Sequence, residues 1–532
     1  MTDATPSGGF APLRHKVFAV LWGATVLGNT GSFIRDVASA WLVTDLSGAP
    51  AAVALVQAAA TLPIFLLAIP AGVLSDILDR RKFLIGIQFL LAAASLSLML
   101  LSQSGLLTVS ALVGFTFLGG VGAALMAPTW QAIVPELVPR ADLRNAVALN
   151  SLGINIARAI GPAVGGALLV AFGPGVTYGA DVASYVLVIA ALLWWRRAPE
   201  ADDALSEGFS GAFRAGLRYA RASRELHVVL LRAAVFFACA STVWALLPLI
   251  ARDLLGGDAG FYGVLLGAVG AGAILGAVLL PRLRARLDSD GLMLLSGVLI
   301  ATAMAGLALR PPQALALLVT LALGFGWIVA LTTLNATAQA ILPNWVRGRA
   351  LAVYLTVFNG AMTAGSLGWG AVAQGTGVVG ALFLGAASLV VAALVMHRIK
   401  LPRGEADLTP SNHWPEPLTA APVEHDRGPV TILIEYRVPE ADRPAFLRAI
   451  HTLSAERRRD GAYGWGITQE AADPDLLVEW FVVASWAEHL RQHRRVSHAD
   501  ADLQAEIALH HAGEGRPVVR HLLGLDPPPD AA

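Results

Sequence analysis

The chain has 532 residues, 56% of them hydrophobic and 14% charged, and its 38 acidic and 38 basic side chains balance to zero. A water-soluble fold of this length cannot hide that much apolar surface, so the bulk of the chain belongs in a bilayer. The single cysteine, Cys239, excludes a disulfide framework and a thiolate metal site, and the even charge points to no particular partner. Arg14, His15 and Lys16 precede an apolar stretch too long for the core of a cleavable signal, so that stretch reads as a first spanning helix.

At about 20 apolar residues per crossing, twelve spans are predicted. They fall near 17–42, 51–75, 83–102, 107–132, 144–171, 176–195, 227–251, 260–281, 291–309, 313–340, 348–373 and 378–397. One set of loops carries Arg80, Arg81, Lys82, Arg196, Arg282, Arg284, Arg347 and Arg349, whereas the alternate loops offer only Arg252 and Arg310. The excess of cations on one side predicts both termini in the cytoplasm. The long break at 197–226 mixes Leu217 and Tyr219 with Arg218, Arg221 and Arg224, the composition of an amphipathic helix on the inner membrane face.

That break divides the spans into two six-helix halves with traces of a repeat. Gln131, Ala132, Ile133 and Pro135 recur as Gln339, Ala340, Ile341 and Pro343. Asn155, Gly161 and Gly166 recur 204 positions later as Asn359, Gly365 and Gly370. Parallel repeats place a substrate path at the interface of the halves. The expected domains are an N-terminal bundle over 1–200, an amphipathic linker over 201–226, a C-terminal bundle over 227–400 and a Pro-rich linker over 401–428. A soluble module over 429–526 follows. In that module, strands are predicted at 431–436, 463–469, 476–485 and 517–522, with helices at 443–459, 487–495 and 500–511. The order β-α-β-β-α-β is that of a ferredoxin-like sandwich. The fold class is thus an all-α membrane protein with an added C-terminal α+β domain.

Residues 72–82 carry the first family resemblance. Gly72, Leu74, Asp76, Arg80 and Arg81 match the Gly-x-Leu-Ala-Asp-Arg-x-Gly-Arg-Arg/Lys loop that follows the second helix of the major facilitator superfamily, while Ile77 and Asp79 depart from it. Gly161, Pro162, Gly165 and Gly166 resemble the Gly-Pro element of its antiporters, with earlier glycines replaced by Ala148 and Ala157. Asn145–Ser151 read as Asn-Ala-Val-Ala-Leu-Asn-Ser, Asn155-x-x-Arg158-x-x-Gly161-Pro162, and Ser485-Trp486-x-Glu488-His489-Leu490-Arg491 extend the likeness. Together they resemble the superfamily's transmembrane secretion effector branch, related to the enterobactin exporter. That likeness implies proton-driven export of siderophores, drugs or other small amphipathic molecules. The tail resembles, more loosely, the antibiotic-biosynthesis monooxygenase fold.

Charged side chains inside spanning helices are costly and call for a role. Asp36 and Asp181 are the proton-coupling candidates, with Arg35 and Arg158 as partners and Asp36 favoured; the alternative is a static ion pair. Arg232 reads as a cation near a helix end that snorkels to the interface. Asn29, Asn155, Asn335 and Asn359 are candidates to line the path. Gly72, Asp76, Arg80 and Arg81 form an expected conformational lock, with Gly72 admitting a neighbouring helix and Asp76 facing the start of the eleventh span. His489 and His493, four apart on a helix, read as structural or interfacial, since no third ligand accompanies them. The chain offers no Walker lysine and no flavin fingerprint. The reading is a secondary transporter working by alternating access, its partners being a small molecule, protons and lipid, with homodimerisation through the tail left open. Neither nucleic acid nor a cofactor is expected. The alternatives are a membrane-anchored monooxygenase-like enzyme and a non-transporting sensor or assembly protein.

Overall fold

Apolar runs fold as helices in hydrocarbon because no water is present to replace a missing backbone hydrogen bond. In the computed structural model, residues 10–139, 141–196, 209–343, 345–404, 407–409, 411, 414, 417 and 419–525 are described. The apolar helices are α1 (Lys16–Leu46), α2 (Pro50–Ile77), α3 (Arg80–Gln103), α4 (Val109–Leu137) and α5 (Leu143–Trp194). A shorter α6 (Phe209–Ala222) precedes α7 (Arg224–Leu249), α8 (Ala259–Arg284), α9 (Ser289–Ala308), α10 (Gln313–Ala340) and α11 (Arg347–His397). All but α6 are long and apolar enough to cross a membrane, ten helices among the described residues.

Twelve predicted spans become ten helices because two pairs are continuous in hydrogen bonding. The fifth and sixth spans form the 52-residue α5, and the eleventh and twelfth form the 51-residue α11. A straight helix of that length would run about 78 Å, more than twice the hydrocarbon thickness. Each is broken instead by one glycine at positive φ, Gly173 (φ 76°) and Gly377 (φ 76°). A Cβ at either would meet nothing within 4 Å, so glycine stands there for its backbone and not for space. The seventh span also runs on, through a π-helical turn at Ile250–Leu254.

Two compact units emerge. One comprises Met1–Asp203, Leu230–Ala336 and Tyr354–Leu401; the other gathers Ala204–Val229, Thr337–Val353 and Pro402–Ala532. In the first, α1 lies along α5 at points where only glycine fits. A Cβ at Gly161 would sit 2.6 Å from Phe33 Cβ, and one at Gly165 would sit 2.9 Å from Ile34 Cα. Phe18, Leu84, Leu91, Ile133, Leu149 and Tyr185 form the apolar core of this part. α5 meets α8 through Gly166 and Gly263, whose backbones touch closely.

In the second unit, β1 (Val430–Arg437), β2 (Gly464–Gln469), β3 (Leu476–Val483) and β4 (Val518–Leu523) form an antiparallel sheet of order β2-β3-β1-β4. Alternate residues of β1 and β3 are buried, and α12 (Arg443–Arg459) covers that face with Phe446, Ile450 and Leu453. Short helices α13 (Trp486–Arg495) and α14 (His498–Ala508) complete it, the latter opened by a Ser497–Asp500 capping box. The same unit holds α6 and the connection between α10 and α11. Arg218 of α6 donates to Glu488 at 2.8 Å, Tyr219 Oη donates to the Ile341 carbonyl at 3.2 Å, and the Arg459 guanidinium faces the Tyr219 ring.

Candidate functional site

The ionic residues of the first unit come together on two matching helix faces. Ser32, Arg35 and Ser39 follow one another at i, i+3, i+7 on α1, and Tyr178, Asp181 and Tyr185 do the same on the second segment of α5. Residues at these spacings share one helix face. The faces pair in opposite order: Ser39 with Tyr178 (3.1 Å), Arg35 with Asp181 (3.7 Å) and Ser32 with Tyr185 (3.0 Å). Arg35 also donates to Tyr185 Oη at 2.9 Å and to Asp36 Oδ1 at 2.9 Å. Gly119 of α4 leaves room for the guanidinium, since a Cβ there would lie 3.1 Å from Nη2.

One guanidinium therefore serves two carboxylates in different surroundings. The Asp36 side chain is 52% exposed, that of Asp181 is fully buried, and that of Arg35 is 8% exposed. Ser95 of α3 donates to Asp181 Oδ2 at 2.6 Å, while Oδ1 has no hydrogen-bond partner among the described residues. Arg158, expected as a further partner, is exposed on the first segment of α5 and makes no contact with either carboxylate. Ser95, Tyr178 and Tyr185 escaped the sequence reading, although the i, i+3, i+7 spacing of Tyr178 and Tyr185 about Asp181 was a usable signal.

The path candidates are dispersed. Asn29 lines a small pocket between α1, α3, α4 and α5, together with Gln88, Trp130 and Tyr185. Asn155 donates to the Ser151 carbonyl, and Asn359 is buried and donates to the Leu355 carbonyl. Asn335 is partly buried on α10. Thr61 and Thr363 link α2 to α11 at 2.7 Å.

At the 72–82 loop, a Cβ on Gly72 would meet nothing within 4 Å among the described residues. The Asp76 side chain lies outside the described residues. Arg80 pairs with Glu136 at 2.6 Å, and Arg81 donates to the carbonyls of Leu192 and Leu193, filling acceptors at the end of α5. Arg232 does not snorkel: it is buried and ion-paired with Asp290 of α9, and it donates to the Ile399 carbonyl. Within the Gly-Pro element, Gly161 and Gly165 face α1, while Gly166 and the Pro162 carbonyl face Gly263 of α8.

In the tail, the Glu479 carboxylate is fully buried and accepts from Arg457, Trp465 and Tyr436, a network that ties α12 to the sheet. His489 meets His493 edge-on and His521 at a tilt, and burial beside these rings pushes its imidazole down to about 3. No group of three or more His, Cys, Asp or Glu is placed to hold a metal among the described residues.

A family model described as "Transmembrane secretion effector" matches residues 7–528. The chain belongs to that family. It is a transporter family of the major facilitator superfamily, which sets the enzyme alternative aside. Within it, the chain is similar to the staphyloferrin A transporter of Staphylococcus aureus, 24% identical over 388 residues that cover 72% of this chain and 96% of the relative. It is similar also to the multidrug efflux pump Tap of Mycolicibacterium fortuitum, 27% identical over 67% of this chain and 88% of the relative. Among solved structures, the nucleoside transporter NupG shares the fold with a TM-score of 0.58 at 12% identity, covering 72% of this chain and 98% of its own. The chain is thus a multi-pass secondary transporter of the exporter kind.

Proposed function

We propose that this secretion effector exports small amphipathic molecules, siderophore-like or drug-like, across the plasma membrane in exchange for protons. The observation that carries the coupling is the sharing of Arg35 between half-exposed Asp36 and buried Asp181. A proton on one carboxyl frees the guanidinium for the other, so the two carboxyls exchange charge without leaving an arginine unpaired. Asp36 is the point of entry, and Asp181 holds the proton away from water. Alternating access would follow from rocking of two six-helix halves. Gly173 and Gly377 support this division, since they stand 204 positions apart, the same interval that separates Asn155 from Asn359. Read as corners, they turn ten continuous helices into twelve spans. The Arg-rich loops argue for cytoplasmic termini.

The test is transport in proteoliposomes. Asp36→Asn and Asp181→Asn proteins should exchange substrate down its gradient but fail to accumulate it against one. Uphill transport by both variants at the normal rate, with unchanged pH dependence, would remove the cluster from coupling.

For the tail, the strand order β2-β3-β1-β4 supports the ferredoxin-like reading, and we assign it a regulatory or assembly role. The edge strand β4 exposes Val518, Val519 and Leu522, which supports homodimerisation by edge pairing. Its check is the oligomeric state of the detergent-solubilised protein with and without Val519→Lys.

A further inference from the structure

We propose that Arg158 binds an anionic oxygen group, a carboxylate or an acidic phenol, of the transported molecule; this rests on the export reading above. Arg158 stands midway along the first segment of α5, fifteen residues after Leu143 and fifteen before the corner at Gly173. At that depth a guanidinium needs a partner or water. The arginines buried within the spanning helices have partners, Arg35 in Asp36 and Asp181, Arg232 in Asp290. Arg158, exposed instead, makes no hydrogen bond or ion pair with any described residue.

The two exposed faces of α5 show which way it looks. Leu152, Ile156 and Ile160 form an exposed apolar stripe at i, i+4, i+8. Ser151, Asn155 and Arg158 form an exposed polar stripe at i, i+4, i+7. At 100° per residue the stripes are roughly 130° apart. Gly153 and Gly161, facing α1, occupy one of the arcs between them, and Ala159 and Gly166, against Gly270 and Gly263 of α8, lie on the other side. Exposed Ile154 borders the polar stripe beside Arg158, but a stripe that holds a guanidinium, an amide and a hydroxyl suits the water-accessible path between the halves better than lipid. A planar guanidinium with a neighbouring amide and hydroxyl, and no carboxylate of its own, is suited to a bidentate anionic oxygen group and repels cations.

The experiment uses the full-length protein and xanthene dyes that carry a free carboxylate, each matched with its methyl ester. Wild type should export the acids in preference to the esters. Arg158→Gln should lower export of the acids by about 10- to 100-fold, the range for losing a charge-assisted contact, with Arg158→Lys intermediate. Thermal stabilisation of purified wild type, but not of Arg158→Gln, by the acids reads binding apart from transport. Equal stabilisation of both proteins, or undiminished export of acids by Arg158→Gln, overturns the site and leaves the export reading standing. Stabilisation by the acids without export of any dye overturns the export reading and leaves the anion site.

Discussion

The guanidinium of Arg495 lies over the ring of Trp345, 4.3 Å from its centroid. Arg495 closes α13 of the tail, and Trp345 stands in the short connection between α10 and α11. The ring also meets Tyr219 of α6 edge-on at 5.9 Å, and Glu488 two turns back from Arg495 takes Arg218. Trp345→Ala should therefore raise hydrogen exchange in α6 and α13 of the intact protein by about 2- to 30-fold, the span of a cation–π contact worth about 0.5–2 kcal/mol. Unchanged protection in both segments would show that the stack contributes nothing.

Removing one member of a buried ion pair strands the other charge. Arg35→Gln should lower the stability of the detergent-solubilised protein by about 3–5 kcal/mol, because Asp181 would be left in an apolar site. The double variant Arg35→Gln/Asp181→Asn should recover most of that loss while still failing to pump uphill. Thermal unfolding of the three proteins separates the two effects, and a double variant no more stable than the single one would refute the pairing.

Close backbone contact between α5 and α8 predicts a sharp size limit. A Cβ at Gly166 would lie 2.6 Å from the Ala259 carbonyl oxygen, whereas one at Gly267 would meet only Ala163 Cβ at 3.9 Å. Gly166→Val should abolish transport with normal membrane insertion, and Gly267→Ala should transport at close to the wild-type rate. Measured efflux at matched expression decides between a packing limit and a tolerant surface.

Glu456 on α12 makes the tail pH-sensitive. Burial, with Asp500 adding repulsion, pushes its carboxyl up to about 8. The folded state thus holds a proton that the unfolded chain releases near pH 4.5, so this contribution is full below that pH and lost as pH rises through 8. His489, depressed in the fold, contributes in the opposite sense, but its part is complete above its unfolded value of 6.5. Between pH 6.5 and 8.5, protection of α12 against hydrogen exchange should fall in the wild type and stay level in Glu456→Gln. A wild-type profile as flat as the variant's would exclude Glu456 as the titrating group.

Most of the helices are legible in the amino-acid sequence, because a bilayer forces each backbone to satisfy itself locally and about twenty apolar residues suffice to cross it. The tail's strands are legible for a similar reason, since alternation along 430–437 and 476–483 reports one buried face. Asp36, Asp181 and Arg35 announce themselves as charges in apolar runs. What each charge meets is not legible. Arg232 finds Asp290 58 positions away, and Asp181 finds Ser95 at a separation of 86. Gly72 has no neighbour within reach of a Cβ among the described residues, while Gly166 and Gly263, on segments nearly a hundred residues apart, touch closely. The connection at 337–353 joins the tail's compact unit although the chain places it between two spanning helices. Composition and periodicity determine which residues form an element and which face is apolar. The faces that meet, and so which arginine finds a carboxylate, depend on side-chain volumes and backbone approaches between distant segments, which exist only once the helices are packed.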